Sequence, residues 1–419
     1  MNIRTAPIKG VPKQLHVRDG ARRIWVAESS AEAAGAADLR ARVDRVAAVA
    51  AAHAAAVDGK ARFPSEAIEA ARAERLLGIA VPRELGGEGV VAADVVDVCY
   101  ALGRACASTA MIYAMHQTKV ACITRHGRGS PWHQLLLRRL CAEQLLLASS
   151  TTEGQAGGDV RNSAAAVEGD VRITLERQAT VISYGEAADG IVTTARRSAG
   201  AAGSDQVLVV FLKDDYTLER LNGWDALGMR GTCSAGFKLV ASGLREQILP
   251  ASYEQIHSHT MMPFAHLAWS GAWAGIAAAA VERARGFVRK AAHRSGGTLP
   301  PGAAHLTRAS ANLRTLRSLI AAALQRFERA SEDTATLESV DFQTGMNMLK
   351  VNASELAVST VMSAMQACGL AGYRNDGEFS MGRHLRDILS SPIMISNDRI
   401  LANAAAAALL GGTPASLRD

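Results

Sequence analysis

The spacing of apolar and polar positions divides the chain into three stretches. From about Ser30 an alanine-rich sequence carries charges at helical intervals. The run AAVAAAHAAAVDG closes at Gly59, a residue suited to the position just past a helix end. Phe63-Pro64-Ser65-Glu66 restarts a helix that reaches about Leu77, and Pro82 with the GGEG of Gly86 to Gly89 forms a loop. Helical spacing returns over 92–126, with a break expected near Cys106 to Ser108, and again over 131–145. From 148 to about 250 the period changes. The runs VRITL, TVISYG, GIVTTARR, QVLVVFL and FKLVAS are rich in Val, Ile and Thr and predict strands, in a small barrel or sandwich. Past Tyr253 helical spacing returns over 259–292, 303–331, 336–368 and 382–410, with SGGTLPPG as an interrupting loop. Helices this long suggest an antiparallel bundle. The expected organisation is an arm over 1–30, a helical domain over 31–146, a β domain over 147–253 and a helical bundle over 254–419.

Composition narrows the function classes. Of 419 residues, 48% are hydrophobic, which excludes a disordered chain. The net charge of +6 is mild, and no run of five or more basic residues occurs, so a nucleic-acid partner is not expected. The excess suits an anionic small molecule without demanding one. No secretory leader and no spanning apolar run is apparent, so the expectation is a soluble, cytoplasmic protein without a membrane partner. The six cysteines form no CxxC pair and read as buried thiols. No GxGxxG follows a strand, which leaves a Rossmann nicotinamide site unsupported. His257, His259 and His266 are not spaced to share one metal-binding face, and no metal is expected.

Four motifs carry a family likeness. Phe63-Pro64 precedes Val81-Pro82-Arg83-Glu84-Leu85-Gly86-Gly87. Thr152-Glu153-Gly154-Gln155-Ala156-Gly157-Gly158-Asp159 opens the strand region, and Trp224-Asp225-Ala226-Leu227-Gly228-Met229-Arg230-Gly231-Thr232 lies within it. Gln366-Ala367-Cys368-Gly369-Leu370-Ala371-Gly372-Tyr373 precedes Arg386-Asp387. In this order they resemble the V-P-x-E-x-G-G, T-E-P-x-x-G-S-D, K-L-G-M-R-x-S/T and Q-x-x-G-G-x-G-Y signatures of acyl-CoA dehydrogenases. The resemblance implies an α+β, mostly α fold: an N-terminal α-helical domain, a central β-barrel and a C-terminal four-helix bundle. It also implies FAD held between barrel and bundle, and a homodimer or homotetramer. The substrate would be an acyl-CoA or related acyl thioester in fatty acid metabolism, with an electron-transfer flavoprotein as partner.

Carried onto this sequence, the family's flavin contacts fall on Thr152, on Gly157 and Gly158 where relatives have Gly-Ser, and on Ser183. The last belongs to Val181-Ile182-Ser183, where relatives have Trp-Ile-Thr/Ser, so an aromatic wall is lost. Arg294 lies near the family's arginine after the first bundle helix. Gln366 and Gly369 would reach the adenosine half of a flavin on a partner subunit. The base does not carry over. Taking the α-proton of a thioester needs a positioned carboxylate. The usual glutamate position is Ile395, and the alternative one, on the first bundle helix, is Ala265 beside His266. Three accounts follow. A shift of three would make Asp398 the base; His266, Glu378 or Asp376 could act from elsewhere; or the protein performs other flavin chemistry. Monooxygenase relatives need a dry pocket and a proton donor, and they place a functional histidine in the helix that holds His116, but ordinary dehydrogenases often have one there too, and His116 also reads as a helix-packing histidine. The leading expectation is FAD-dependent α,β-dehydrogenation of an acyl thioester, with hydride transfer to flavin N5. A flavin-dependent monooxygenase and a catalytically silent flavin- or acyl-CoA-binding homologue are the alternatives.

Overall fold

The computed structural model describes residues 30–153 and 161–410. Among the described residues the boundary between two compact units falls after Arg40, within the first helix, and everything beyond that point belongs to the second. Helix α1 (Ser30–Gly59) contributes Ala50, Ala54 and Val57 to a small core with Ala67 and Cys106. Next come α2 (Ser65–Ala73), α3 (Ala92–Ala105), α4 (Ala107–His126) and α5 (Pro131–Glu143). The break expected near Cys106 is there: its backbone is extended (φ −150°, ψ 115°), so α3 stops and α4 starts afresh. Between Ala107 and Val120 every α4 residue but Met115 is buried, which makes any polar side chain in that run conspicuous.

Six strands follow: β1 (Leu147–Ser150), β2 (Arg172–Ile182), β3 (Gly190–Arg196), β4 (Gln206–Leu212), β5 (Tyr216–Arg220) and β6 (Ala235–Leu244). They pair as two three-stranded sheets, β1-β3-β4 and β2-β6-β5. A closed barrel is not detected among the described residues. β1 runs parallel to β3, with Leu147 opposite Gly190, whereas β2 and β6 are antiparallel, with Ile173 opposite Gly243. VRITL and TVISYG, expected as separate strands, belong to the single strand β2. The intervening Glu-Arg-Gln-Ala keeps the inside–outside alternation, and a bulge between Ala179 and Ile182 absorbs the slip. β1 and β5 escaped the sequence reading because each is short and rich in polar residues.

The remainder is helical: α6 (Tyr253–Ile256), a π-helical turn at His257–Met261, α7 (Met262–Arg294), α8 (Ala303–Ala330), α9 (Thr334–Glu338), α10 (Val340–Cys368), α11 (Leu370–Tyr373), α12 (Gly382–Ile388) and α13 (Asn397–Leu410). The continuous helix Tyr253–Arg294 is long and apolar enough to cross a membrane by composition, contrary to the sequence reading. Its apolar window is 89% buried inside the protein, as a core helix would be. α7 packs against α3, α4, α8 and α10. Its contact with α3 is backbone to backbone: a Cβ on Gly103 would lie 2.3 Å from the Ala272 carbonyl oxygen, and one on Gly275 2.2 Å from that of Tyr100. The stretch expected as one helix over 382–410 is two. Pro392 offers no N–H and disfavours helical backbone at Ser391, so a turn separates α12 from α13. That turn carries Ile395.

Candidate active site

A cavity of about 1040 Å³ opens among the strand region, α4, the N-terminal ends of α7 and α10, and the α12–α13 turn. This matches the upper end of the roughly 300–1,000 Å³ seen for ligand clefts. Thr152, Ser183, His266 and Ile395 all line it, as does Ala265. Val181 and Ser183 both face it, one residue apart, with the buried Ile182 between them. Ser183 ends a chain of hydroxyls. Thr232 Oγ1 donates to the Met229 carbonyl (2.9 Å), so it accepts from Ser234 (2.7 Å), which in turn accepts from Ser183 (2.7 Å). That polarity leaves the Ser183 oxygen an acceptor toward the cavity. Met229 is itself fixed by the Arg386-Asp387 pair: its N–H donates to Asp387 Oδ1 at 2.7 Å, and Arg386 pairs with Asp58. Burial raises the Asp387 carboxyl to about 6.

The turn between α12 and α13 is bolted to α10. Lys350 Nζ, fully buried, donates to the Ile395 carbonyl (2.8 Å) and to Asn397 Oδ1 (2.7 Å). Asn397 Nδ2 donates to Ser354 Oγ at 3.0 Å. Ile395 is held at φ +51°, a left-handed conformation that costs a β-branched residue on the order of 1–3 kcal/mol. Burial lowers Lys350 to about 8.

His266 Nδ1 donates to the Met346 carbonyl at 3.0 Å, which fixes the tautomer and leaves Nε2 a bare acceptor on a residue lining the cavity. Burial holds the ring neutral, with its pKa pushed down to about 3. His116 is different. Its Nε2 donates to Leu77 O at 2.9 Å, and its Nδ1 accepts from Leu147 N at 3.0 Å. Both ring nitrogens are used and the residue does not line the cavity: His116 braces α4 against the loop at Leu77 and β1.

The other expected residues lie elsewhere. Asp398, in the first turn of α13, is exposed and off the cavity wall. Arg294, Gln366 and Gly369 are exposed at the C-terminal ends of α7 and α10, whereas the cavity is at their N-terminal ends. Gly157 and Gly158 fall outside the described residues. Ile395 and Ala265, the two positions where the resemblance would put a base, carry hydrocarbon side chains and both line the cavity. Of the described carboxylates on its wall, Asp205, Glu254 and Glu338 are all exposed.

One residue on the wall was missed. Lys119, on α4, is 4% exposed, and its hydrogen-bonding contact is the Met261 thioether sulfur at 3.6 Å. Burial lowers it to about 8. A lysine within the apolar run TAMIYAMHQTKVACI was the signal available in the sequence.

Two family models match the chain: the N-terminal domain of acyl-CoA dehydrogenases over residues 35–140, and their C-terminal domain over 259–410. Together they take in more than half of it. The chain belongs to the acyl-CoA dehydrogenase family. It is 26% identical to the amino sugar nitrososynthase DnmZ of Streptomyces peucetius, over 80% of this chain and 84% of that protein. It is also 26% identical to "Probable acyl-CoA dehydrogenase fadE25" of Mycobacterium leprae (strain TN), over 83% and 88%. The FMN-bound structure of TdsC, a dibenzothiophene monooxygenase from Paenibacillus sp. A11-2, shares the fold at a TM-score of 0.77 and 18% identity, covering 90% of this chain and 98% of that one. As a member of this family the protein is a flavin-dependent oxidoreductase. The cavity fits a flavin's amphipathic ring system: Val181, 36% exposed, and Trp269 supply apolar surface, and Thr152 and Ser183 supply hydroxyls.

Proposed function

We propose that the protein is a flavin-dependent monooxygenase acting on a heteroatom of a small organic substrate, rather than an acyl-CoA dehydrogenase. The observation that carries this reading is the pair Ile395 and Ala265. Both base positions line the cavity, and neither can accept a proton. Without a buried carboxylate the α-proton of a thioester, weakly acidic, stays in place. The names of DnmZ and TdsC support an oxygen-using reaction, and fadE25 is the counterweight.

In this reading a bound reduced flavin would supply the two electrons for dioxygen cleavage, one oxygen atom going to the substrate and the other to water. The chain supplies the rest. Thr152 and Ser183 orient the ring edge through their hydroxyls. Val181, Ile395 and Met261 keep the reaction volume apolar. His266 Nε2, neutral and uncommitted among the described residues, accepts a hydrogen bond from the substrate's amine or hydroxyl and so orients that heteroatom for oxygenation. The flavin in this reading is FMN, as in TdsC. The loss of the second motif glycine to Leu370 and of the motif serine to Gly158 supports the smaller cofactor.

The test is direct. With flavin bound and oxygen removed, a panel of acyl-CoA esters should leave the flavin oxidised. Given reduced flavin, oxygen and an amine or thioether panel, the protein should yield oxygenated product. Anaerobic bleaching by an acyl-CoA would overturn the proposal. A dehydrogenase whose base has merely been lost should also gain that bleaching on Ile395→Glu.

A further inference from the structure

Lys119 lies in the middle of α4, in a run where the neighbouring side chains are buried, and is itself only 4% exposed. Buried ammonium groups are ordinarily paired. Here the contact is a thioether, a weak acceptor. No described carboxylate is close enough to act on it electrostatically; Cys122, one turn on, is the titratable neighbour that does. Lys119 lines the cavity together with Met115 and Thr118 of the same helix, and its Nζ contacts Met261, another lining residue. Tyr253 Oη comes to 3.6 Å from the same Met261 sulfur, so a hydroxyl from α6 and an ammonium from α4 flank one atom.

We propose that Lys119 is the counter-ion for a carboxylate on the substrate, so that the cavity takes singly charged organic acids. This rests on the reading of the cavity as the substrate site beside the flavin. Charge balance selects the carboxylate. One ammonium and one carboxylate give a neutral buried pair, whereas a phosphate dianion would leave a net buried charge. The anchored acid orients the rest of the molecule within the apolar volume, toward the wall that carries His266 and Ile395.

The test uses the full chain with flavin bound and three probes of one shape: phenylacetate, phenylacetamide and phenyl phosphate. Binding is followed by titration calorimetry and by perturbation of the flavin spectrum. Phenylacetate should bind roughly 10- to 100-fold more tightly than the amide, the range of a charge-assisted hydrogen bond. Lys119→Met and Lys119→Gln should abolish that preference and leave amide and flavin affinity unchanged. The acid–amide comparison on the unaltered protein needs no variant, so misfolding of both variants does not shield the proposal. Equal affinity for acid and amide, a preference that survives both variants, or tighter binding of phenyl phosphate would each overturn it. Loss of flavin from Lys119→Met would do so too, by assigning the ammonium to the cofactor. If acid and amide perturb the flavin equally, the carboxylate assignment fails and the cavity reading stands. If neither perturbs it, the cavity reading fails as well.

Discussion

Two walls of the cavity invite comparison. On one side α4 carries a buried histidine and a buried lysine, His116 and Lys119. On the other, α7 and α10 carry a second such pair, His266 and Lys350. Each wall has one member whose polar atoms are committed to the fold and one with capacity left over. His116 uses both nitrogens and Lys350 meets two oxygens, whereas His266 keeps Nε2 bare and Lys119 meets a sulfur. Residue type and burial are the same for the two histidines and for the two lysines. The difference is the completeness of the hydrogen-bond account, and this separates a brace from a group held ready for a ligand.

The comparison breaks first at His116. His116→Ala should leave the Leu147 N–H without a partner, take one of two donors from the Leu77 carbonyl (Gln117 Nε2 remains) and open a cavity, costing about 2–4 kcal/mol of stability, seen as a fall in denaturation midpoint. A loss well under 1 kcal/mol would mean that the brace is redundant. His266→Asn comes next, since it keeps a donor for Met346 O and removes the Nε2 acceptor. Stability should hold while turnover falls roughly 10- to 100-fold. Unchanged turnover would remove His266 from the proposed chemistry. Lys350→Met should cost about 1–3 kcal/mol by leaving Ile395 O unpaired and Asn397 Oδ1 with only the longer Ser354 contact, with weaker flavin binding as the turn loosens.

The smallest effect is expected from Lys119→Met, which removes a buried charge with no strong partner and should leave stability equal or slightly higher at neutral pH. The sign of its pH dependence follows from burial. The folded-state pKa is about 8, below the ordinary 10.5. Between those values the unfolded chain holds a proton that the native one has released, so this lysine's contribution to stability rises with pH, by about 1.4 kcal/mol per pH unit. Unfolding of both proteins at pH 7 and at higher pH should show the variant's advantage at pH 7 shrinking above pH 8. A constant difference would contradict the burial of that ammonium.

Much of the fold was legible because helical and strand periods differ sharply on either side of 148 and 253, and the break at Cys106 was visible as a local shift in spacing. The π-turn at His257–Met261 was not, since one extra residue in a helical turn leaves the apolar period nearly intact. The site was legible where it rests on motif position: Thr152, Ser183, Ile395, Ala265 and His266 do converge on one cavity. It was opaque where it rests on long-range pairing. Whether His116 is reactive or spent depends on Leu77 and Leu147, far off along the chain, and no local pattern records which carbonyl a ring nitrogen will find. Lys350 was missed for the same reason: its partners lie across a turn that Pro392 creates.

The close approach of α3 and α7 at Gly103 and Gly275 limits how this enzyme can adapt. The two helices have no side chains left to trim at that seam, and any added carbon meets backbone. A roomier cavity therefore cannot be obtained by letting these helices drift apart in small increments, because each increment empties a contact already at its minimum. Changes in substrate range should instead accumulate as side-chain exchanges at Met115, Met261 and Met394 on the cavity wall. These are long, unbranched residues whose shortening frees volume without moving a helix.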